Sequence, residues 1–337
     1  MAKPDGQKTK KKLLYLLQIL GRESDEEHPL SATDLCEKLN DLGVPCERKA
    51  IYRDIEALSE FGYEIINART PKQGYFLAKR ELQPAEIRLL MDAIATAPFI
   101  TEKKTEDLTK KLGGFLSAYQ EEHVRSQLLV HGETGRVKFD NEEVYYNIDA
   151  LHRAIENNKK VQFTYFHKEI KNGKVRRNPG RSFIISPYAM VWNEDKYYLV
   201  GNYEKYDNLS NYRIDRMRKV TVLEETARPV SEVSPYKTQF NTADYMRTTF
   251  FMFSGEEQTV TLSCDETLVD AMADRFGKLD ILEQSDGRFR FQAKVRCGEG
   301  FFLWMLRWGD RAVVLEPESV RDEITKRIRD LSDAYKL

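Results

Sequence analysis

The chain has 337 residues, 41% of them hydrophobic and 32% charged, with a formal net charge of −1. That length suffices for two or three domains that each bury a core, and the composition is that of an ordinary globular protein without an apolar run long enough to cross a bilayer. A near-neutral balance excludes attraction to phosphate by bulk charge, so contact with nucleic acid would have to be made by local clusters.

The start of the chain, with Lys3, Lys8, Lys10, Lys11 and Lys12, is basic but lacks the apolar core of a signal peptide, and a cytoplasmic protein is expected. Cys36, Cys46, Cys264 and Cys297 form no CxxC or comparable pair. This argues against zinc ribbons and disulfide frameworks, leaving buried thiols and no metal or cofactor as the expectation.

Leu13, Leu16, Leu17 and Leu20 fall on one face of a helix over residues 9–20. After a polar loop, Ser31 is placed to cap a second helix, with Asp34 at its positive end and Ala32, Leu35, Cys36 and Leu39 as its apolar face. Gly43 ends that helix, a third runs from about Glu47 to Phe61, and Gly62 closes it in a left-handed conformation. Three short helices with a Gly-containing turn before the last fit a helix-turn-helix. On the third, Ile51, Ile55 and Leu58 face the core, while Lys49, Tyr52 and Arg53 point away and Arg48 flanks them. Arg and Lys can reach guanine edges or phosphates there, and Tyr a phosphate or a thymine methyl. Residues 63–77 alternate apolar residues around a turn at Pro71 to Gly74, predicting a two-stranded wing with Lys72 and Gln73 at its tip.

The run "ERKAIYRDIEALSEFGYEI" resembles the third helix and wing entry of the DeoR-like winged helix regulators, through Ile51, Tyr52, Arg53, Asp54, Ile55, Leu58 and Gly62. Glu47 and Ala50 depart from it, standing where that family usually has small hydroxyl residues. The DNA contacts expected are Arg48, Lys49, Tyr52, Arg53, Lys72 and Gln73; a protein-interaction module is the alternative for these helices.

From Pro84 to about Asn158 the pattern is mostly helical, with Ile87, Leu90, Met91 and Ile94 in one stretch and Leu108, Leu112, Phe115 and Leu116 in another. Residues 130–143 read as a loop, after which Asn147 is expected to cap a short helix through Ile155. A connector between the flanking parts, able to supply a homodimer contact, fits this region.

Residues 160–225 switch to strand composition in "VQFTYF", "SFIISPYAMVW", "KYYLVGNY" and "NYRIDRMRKVTVLEE". Short strands in series predict a small, bent β-barrel. A block from Lys159 to Arg181 carries eight Lys and Arg, among them Lys168, Lys171, Lys174, Arg176 and Arg177, against one acid, Glu169; it reads either as a nucleic-acid contact or as a solvated loop. The four segments in order resemble the WYL domain, an Sm-like barrel of bacterial regulators, whose three-letter motif falls on Tyr197, Tyr198 and Leu199. The resemblance implies a sensor of an anionic effector, a nucleic-acid fragment or nucleotide, at Ser186, Tyr188, Lys196, Tyr197, Tyr198, Arg213 and Arg216. Strand parity puts Lys196 and Tyr198 on one side and Tyr197 and Leu199 on the other. It also separates Arg213 from Arg216 unless the strand ends between them. Alternatively, Tyr197 and Tyr198 are barrel core and Arg213 a structural partner of Asp215.

Residues 258–335 follow the order strand, helix, two strands, helix, strand, helix, which predicts a ferredoxin-like sandwich and resembles the C-terminal extension behind WYL domains, "GDRAVVLEPESVRDEI" included. The whole is thus expected to be a multidomain α+β chain: a winged helix-turn-helix at 1–80, a helical connector at 81–145, the barrel at 146–228 and the extension at 229–337. With no Walker loop, GxGxxG turn or HExxH helix, and five dispersed histidines, no enzyme is expected. The function expected is a sequence-specific, homodimeric regulator of double-stranded operator DNA; the alternative is an RNA-binding or nucleic-acid-processing protein that uses the barrel.

Overall fold

The computed structural model of the chain describes residues 5–127, 138 and 141–336, in two compact units, 1–140 and 141–337. Lys3 and most of the loop read at 130–143 lie outside the described residues. No described helix is long and apolar enough to cross a membrane.

The first unit begins with α1 (Asp5–Glu23), α2 (Ala32–Asp41) and α3 (Arg48–Phe61), followed by an antiparallel hairpin of β1 (Ile65–Ala68) and β2 (Gly74–Leu77). The apolar stripes converge as their spacing requires: Leu16 and Leu20 of α1, Leu35 and Leu39 of α2, and Ile51, Ile55 and Leu58 of α3 are all buried in one cluster. Ser31 caps α2 in a reciprocal box, its Oγ accepting from Asp34 N while the Asp34 carboxylate accepts from Ser31 N. Gly62 ends α3 at φ 113°, a left-handed conformation that favours glycine. Gly74 answers to a different need, because a Cβ there would come within 2.7 Å of the Leu30 backbone, to which Tyr75 is bridged.

One charged residue lies on the buried face of α3. Asp54 is 8% exposed and its carboxylate lies 2.8 Å from Lys12 Nζ on α1.

Three further helices complete this unit: α4 (Pro84–Thr96), α5 (Glu102–Gly113) and α6 (Ala118–Gln127). Ile87, Met91, Leu116 and Val124 form their core. Leu90, expected with that stripe, is 42% exposed because it lies about 100° round the helix from Met91, away from the packed side. Phe115, expected on a helix with Leu108 and Leu112, is 41% exposed in the turn behind α5, where Gly113 and Gly114 end the helix. A polar clasp joins these helices to α1. Arg80 donates to Gly21 O and Ser24 O, and Arg22 to Gly113 O, Leu116 O and Glu121, so cations satisfy carbonyls that the helix ends leave open. Asp25 accepts from Ser117 Oγ at 2.6 Å and bonds the His28 ring, which stacks on Tyr119. Burial raises the Asp25 carboxyl, but the Ser117 and His28 hydrogen bonds outweigh it and hold the group below the usual carboxylate range.

The second unit opens with α7 (Val144–Glu156) and continues through β3 (Lys159–Tyr165), β4 (Lys168–Lys171), β5 (Lys174–Arg177), β6 (Arg181–Asn193), β7 (Lys196–Tyr203), β8 (Ser210–Arg213) and β9 (Met217–Thr226). Asn147 does not cap α7. It lies inside the helix, buried, and donates to Met217 O at 3.2 Å. The strands form an antiparallel sheet in the order β8-β7-β6-β3-β9, with β4 and β5 as a separate hairpin. The sheet is open, which corrects the expected closed barrel. β8 stops after four residues and the chain turns at Ile214–Arg216 into β9, so the two edge strands never run side by side. Phe163, Tyr165, Phe183 and Tyr212 pack their rings 5.5 to 6.2 Å apart within this sheet.

Residues 229–253, with α8 (Thr242–Thr248), pack on β6 and β7, where Val233, Tyr245 and Met252 are buried with Val191, Val200 and Leu209. Then follow β10 (Glu256–Asp265), α9 (Val269–Phe276), β11 (Ile281–Ser285), β12 (Arg288–Cys297), α10 (Glu299–Leu306), β13 (Ala312–Glu316) and α11 (Glu318–Tyr335), their strands forming an antiparallel sheet in the order β11-β12-β10-β13. Alternate residues Val260, Leu262 and Cys264 of β10 and Phe289, Phe291, Ala293 and Val295 of β12 share a core with Met272, Phe301, Trp304 and Met305.

Replacing Asp54 by alanine leaves the Lys12 ammonium almost buried without its partner. The expected loss is about 2–4 kcal/mol in the stability of the first unit, read in urea as an early transition. The double variant Lys12→Met, Asp54→Leu should recover most of it, since well-packed apolar groups substitute for such a pair. A double variant as unstable as Asp54→Ala would show that the pair does not act as a unit.

Candidate functional site

The outward face of α3 is cationic and aromatic. With Ile51, Asp54, Ile55 and Leu58 turned inward, Arg48, Lys49, Tyr52 and Arg53 are exposed. Arg48 Nη2 donates to Tyr52 Oη at 3.5 Å, and the Tyr52 ring lies 6.4 Å from Tyr75 on β2. The helix face and the hairpin are therefore one surface. Burial and the neighbouring Tyr52 push the Tyr75 hydroxyl up. Lys72 and Gln73 are exposed at the hairpin turn, where Lys72 Nζ is 3.4 Å from Asp34 Oδ2. Glu47 is the N-cap of α3 and makes no side-chain cap bond, so it does not satisfy the first-turn amides.

Sequence reasoning missed the Lys12–Asp54 pair. Asp54 sits three residues after Ile51 and four before Leu58, so helical spacing marks it as inward-facing. Its partner on α1 could be known only from the fold.

The residues expected to hold an effector divide among several partners. Ser186 is buried and its Oγ accepts from Arg228 N at 2.9 Å, while Tyr188 donates to Arg228 O at 2.8 Å. Both thus pin the chain behind β9 to β6. Lys196 donates to Glu194 O at 3.4 Å, and Tyr197 lies 6.3 Å from Trp192 across the strand pair. Tyr198 is half-buried directly opposite Arg213 in the β7–β8 ladder.

The β8 corner collects the remaining groups. Arg213 binds Asp215 through two bonds, Nε to Oδ1 at 3.0 Å and Nη2 to Oδ2 at 2.8 Å, and its backbone N–H donates to Tyr165 Oη. Desolvation disfavours the guanidinium charge, but Asp215 more than restores it. Burial pushes the Tyr165 and Tyr198 hydroxyls up, against the pull of Arg213 on each and of Arg216 on Tyr165. β8 ends at Arg213 and a helical turn covers Ile214–Arg216, which removes the parity that would set Arg213 and Arg216 on opposite sides. Arg216 is half-buried, and among the described residues its guanidinium has no ion-pair partner. The corner therefore holds one neutralised cation and one available cation beside two tyrosines.

Every residue of the β4–β5 hairpin is exposed, and its register sets Lys168 against Arg177 and Lys171 against Lys174. Like charges directly opposite each other destabilise a ladder.

Within the described residues no group of His, Cys, Asp and Glu could hold a metal ion.

Residues 146–222 match the family model of the WYL domain, and residues 256–332 match that of the WCX domain. No curated protein matches the chain by sequence. Among solved structures it is similar to the proteasome accessory factor B/C (PafBC) of Arthrobacter aurescens, at 15% identity and a TM-score of 0.27, over 93% of this chain and 47% of that one. It is also similar to a CRISPR Cas-related protein, at 14% identity and a TM-score of 0.37, over 98% and 85%. The chain thus spans about half the length of the PafBC chain. The chain thus carries a WYL domain over the open sheet and a WCX domain over the second sheet.

Proposed function

We propose that the protein is a sequence-specific DNA-binding regulator that acts by binding and not by catalysis. In this reading the first three helices and their hairpin are a winged helix-turn-helix, and the second sheet with α9 and α10 has the ferredoxin-like layout. The observation that carries it is the α3 surface, where Arg48, Lys49, Tyr52 and Arg53 stand exposed beside the hairpin turn with Lys72 and Gln73. An apolar stripe and an anchored Asp54 on one side leave that helix only one face to present. Guanidinium and ammonium groups there suit guanine edges and phosphates in a major groove. A homodimer would present two such helices to half-sites one helical turn, or a multiple, apart.

Lys49→Ala and Arg53→Ala should each weaken binding to a duplex selected from a random-sequence pool, without shifting the unfolding midpoint. A side chain that binds phosphate is told from one that reads a base by salt: its removal should flatten the slope of log affinity against log salt by about one. Unchanged affinity in both variants would place the DNA surface elsewhere.

The β8 corner is the proposed effector site, for an anion with flat rings such as a nucleotide or a nucleic-acid fragment. Arg216 supplies the charge and Tyr198 the ring, while the Arg213–Asp215 pair and the buried Tyr165, whose hydroxyl accepts from Arg213 N, hold the corner in shape. For the effector to regulate, its affinity and operator affinity must shift by the same factor. In calorimetry with short single-stranded oligonucleotides, Arg216→Ala should lose about 1.5–3 kcal/mol, one charge-assisted contact. Arg213→Ala should weaken binding as well, by freeing the Asp215 carboxylate, and the double variant Arg213→Ala, Asp215→Ala should restore it. A double variant as weak as Arg213→Ala would make Arg213 itself the ligand.

The exposed β4–β5 hairpin favours a second reading, in which the open sheet holds RNA or single-stranded DNA. Its like-charge pairs gain stability when a polyanion lies across them. Gel shifts that compare duplex with single strands at several salt concentrations separate the two readings.

A further inference from the structure

Two of the four cysteines, ten residues apart in the chain, meet inside the helix-turn-helix. Cys36 lies on α2 and Cys46 immediately ahead of the Glu47 N-cap of α3, and their sulfurs are 3.8 Å apart. Both thiols are half-buried at the edge of the core of the first unit. Cys264 and Cys297 lie in the second unit. The spacing shows no redox motif, and the expectation of scattered, buried thiols is corrected here by the turn between α2 and α3.

We propose that Cys36 and Cys46 are a modification site at which a hydroperoxide forms an intramolecular disulfide, and that this bond switches off DNA reading by α3. The second half of the proposal rests on the DNA-binding reading above. One thiolate attacks a peroxide oxygen, the O–O bond breaks and the leaving oxygen takes a proton, which yields a sulfenic acid and, from hydrogen peroxide, water. The second sulfur then attacks the sulfenic sulfur, and hydroxide leaves and takes up the remaining proton as a second water. Two thiols and one peroxide thus become one disulfide and two waters, the sulfurs giving up the two electrons that reduce the peroxide.

Burial of Cys46 assigns the order of attack, and the geometry assigns the consequence. Burial and the adjacent Cys36 push the Cys46 thiol up to about 11, against the pull of Lys12, so Cys46 stays protonated near neutral pH. Cys36 is therefore oxidised first and Cys46 resolves it. A disulfide needs its sulfurs about 2.05 Å apart. Closing the 3.8 Å gap turns both side chains and draws the chain ahead of Glu47 toward α2. That segment leads directly into Arg48 and Lys49, and the Lys12–Asp54 pair that anchors α3 lies beside it. A shift of the α3 start moves charged groups whose contacts with bases and phosphates depend on direction.

The test uses the full chain, with a duplex selected from a random-sequence pool by the reduced protein. After hydrogen peroxide and alkylation, peptide mass analysis should show Cys36 joined to Cys46 with the loss of two hydrogens, while Cys264 and Cys297 stay alkylated. Cys46→Ser should instead trap a sulfenic acid on Cys36 that reacts with dimedone. Duplex affinity should fall at least tenfold on oxidation, return with dithiothreitol, and stay unchanged in Cys36→Ser or, if serine disturbs the fold, Cys36→Ala. Absence of the Cys36–Cys46 peptide overturns the site whatever the DNA result. A crosslink that leaves duplex affinity within twofold overturns the switch. If the reduced protein selects no duplex, the DNA-binding reading fails and the switch with it, while the mass result still decides the modification site.

Discussion

Much of the first unit depends on how α3 is held. Its inner face is fixed by Ile51, Ile55 and Leu58 and by the Asp54 carboxylate on Lys12 of α1. An apolar face alone tolerates small rotations, because dispersion and hydrophobic contacts are not directional. A nearly buried ion pair is less tolerant, since any rotation that separates the charges leaves both poorly solvated. Asp54 therefore sets the angle of the helix, and the exposure of Arg48, Lys49, Tyr52 and Arg53 follows from it. The Tyr52–Tyr75 contact then relates the hairpin to the same face.

Polar contacts extend that rigidity through the first unit. Arg22 and Arg80 bind carbonyls at helix ends, where the unmatched backbone oxygens concentrate negative potential. Asp25 joins Ser117 and His28, with Tyr119 stacked on the imidazole. The end of α5, the turn behind it and α6 are thus bound to the end of α1 through groups that need definite partners. A motion of those helices would have to break several charge-assisted bonds together, so the unit is built to move as one body.

The second unit follows a different logic. Its first sheet is stabilised by aromatic packing around Phe163 and Tyr212, and its short edge strand β8 is where polar chemistry gathers. Arg213 and Asp215 neutralise each other there, which lets a second guanidinium sit half-buried nearby without the repulsion that two free cations would bring. The residues behind β9 use Arg228 as a backbone fastener for Ser186 and Tyr188, so two of the expected effector ligands hold the sheet to the segment that covers it.

The sequence by itself determined the local elements. Helical spacing and capping chemistry act within a few residues, so the caps at Ser31 and Gly62, the inward stripe of α3 and the turn of the β1–β2 hairpin could all be read from neighbouring positions. The order of strands and helices over 258–335 was legible for the same reason, and the ordered strand segments carried the WYL resemblance that the family match shows. Only the tertiary structure decided the long-range pairings: Lys12 with Asp54, Cys36 with Cys46, Asn147 with Met217 rather than with its own helix start, and an open sheet instead of a closed barrel. These depend on where chain segments far apart in sequence come to lie, and on the length at which β8 stops. Neither leaves a periodic signal, because a polar side chain takes the partner that the packed fold brings within hydrogen-bonding reach.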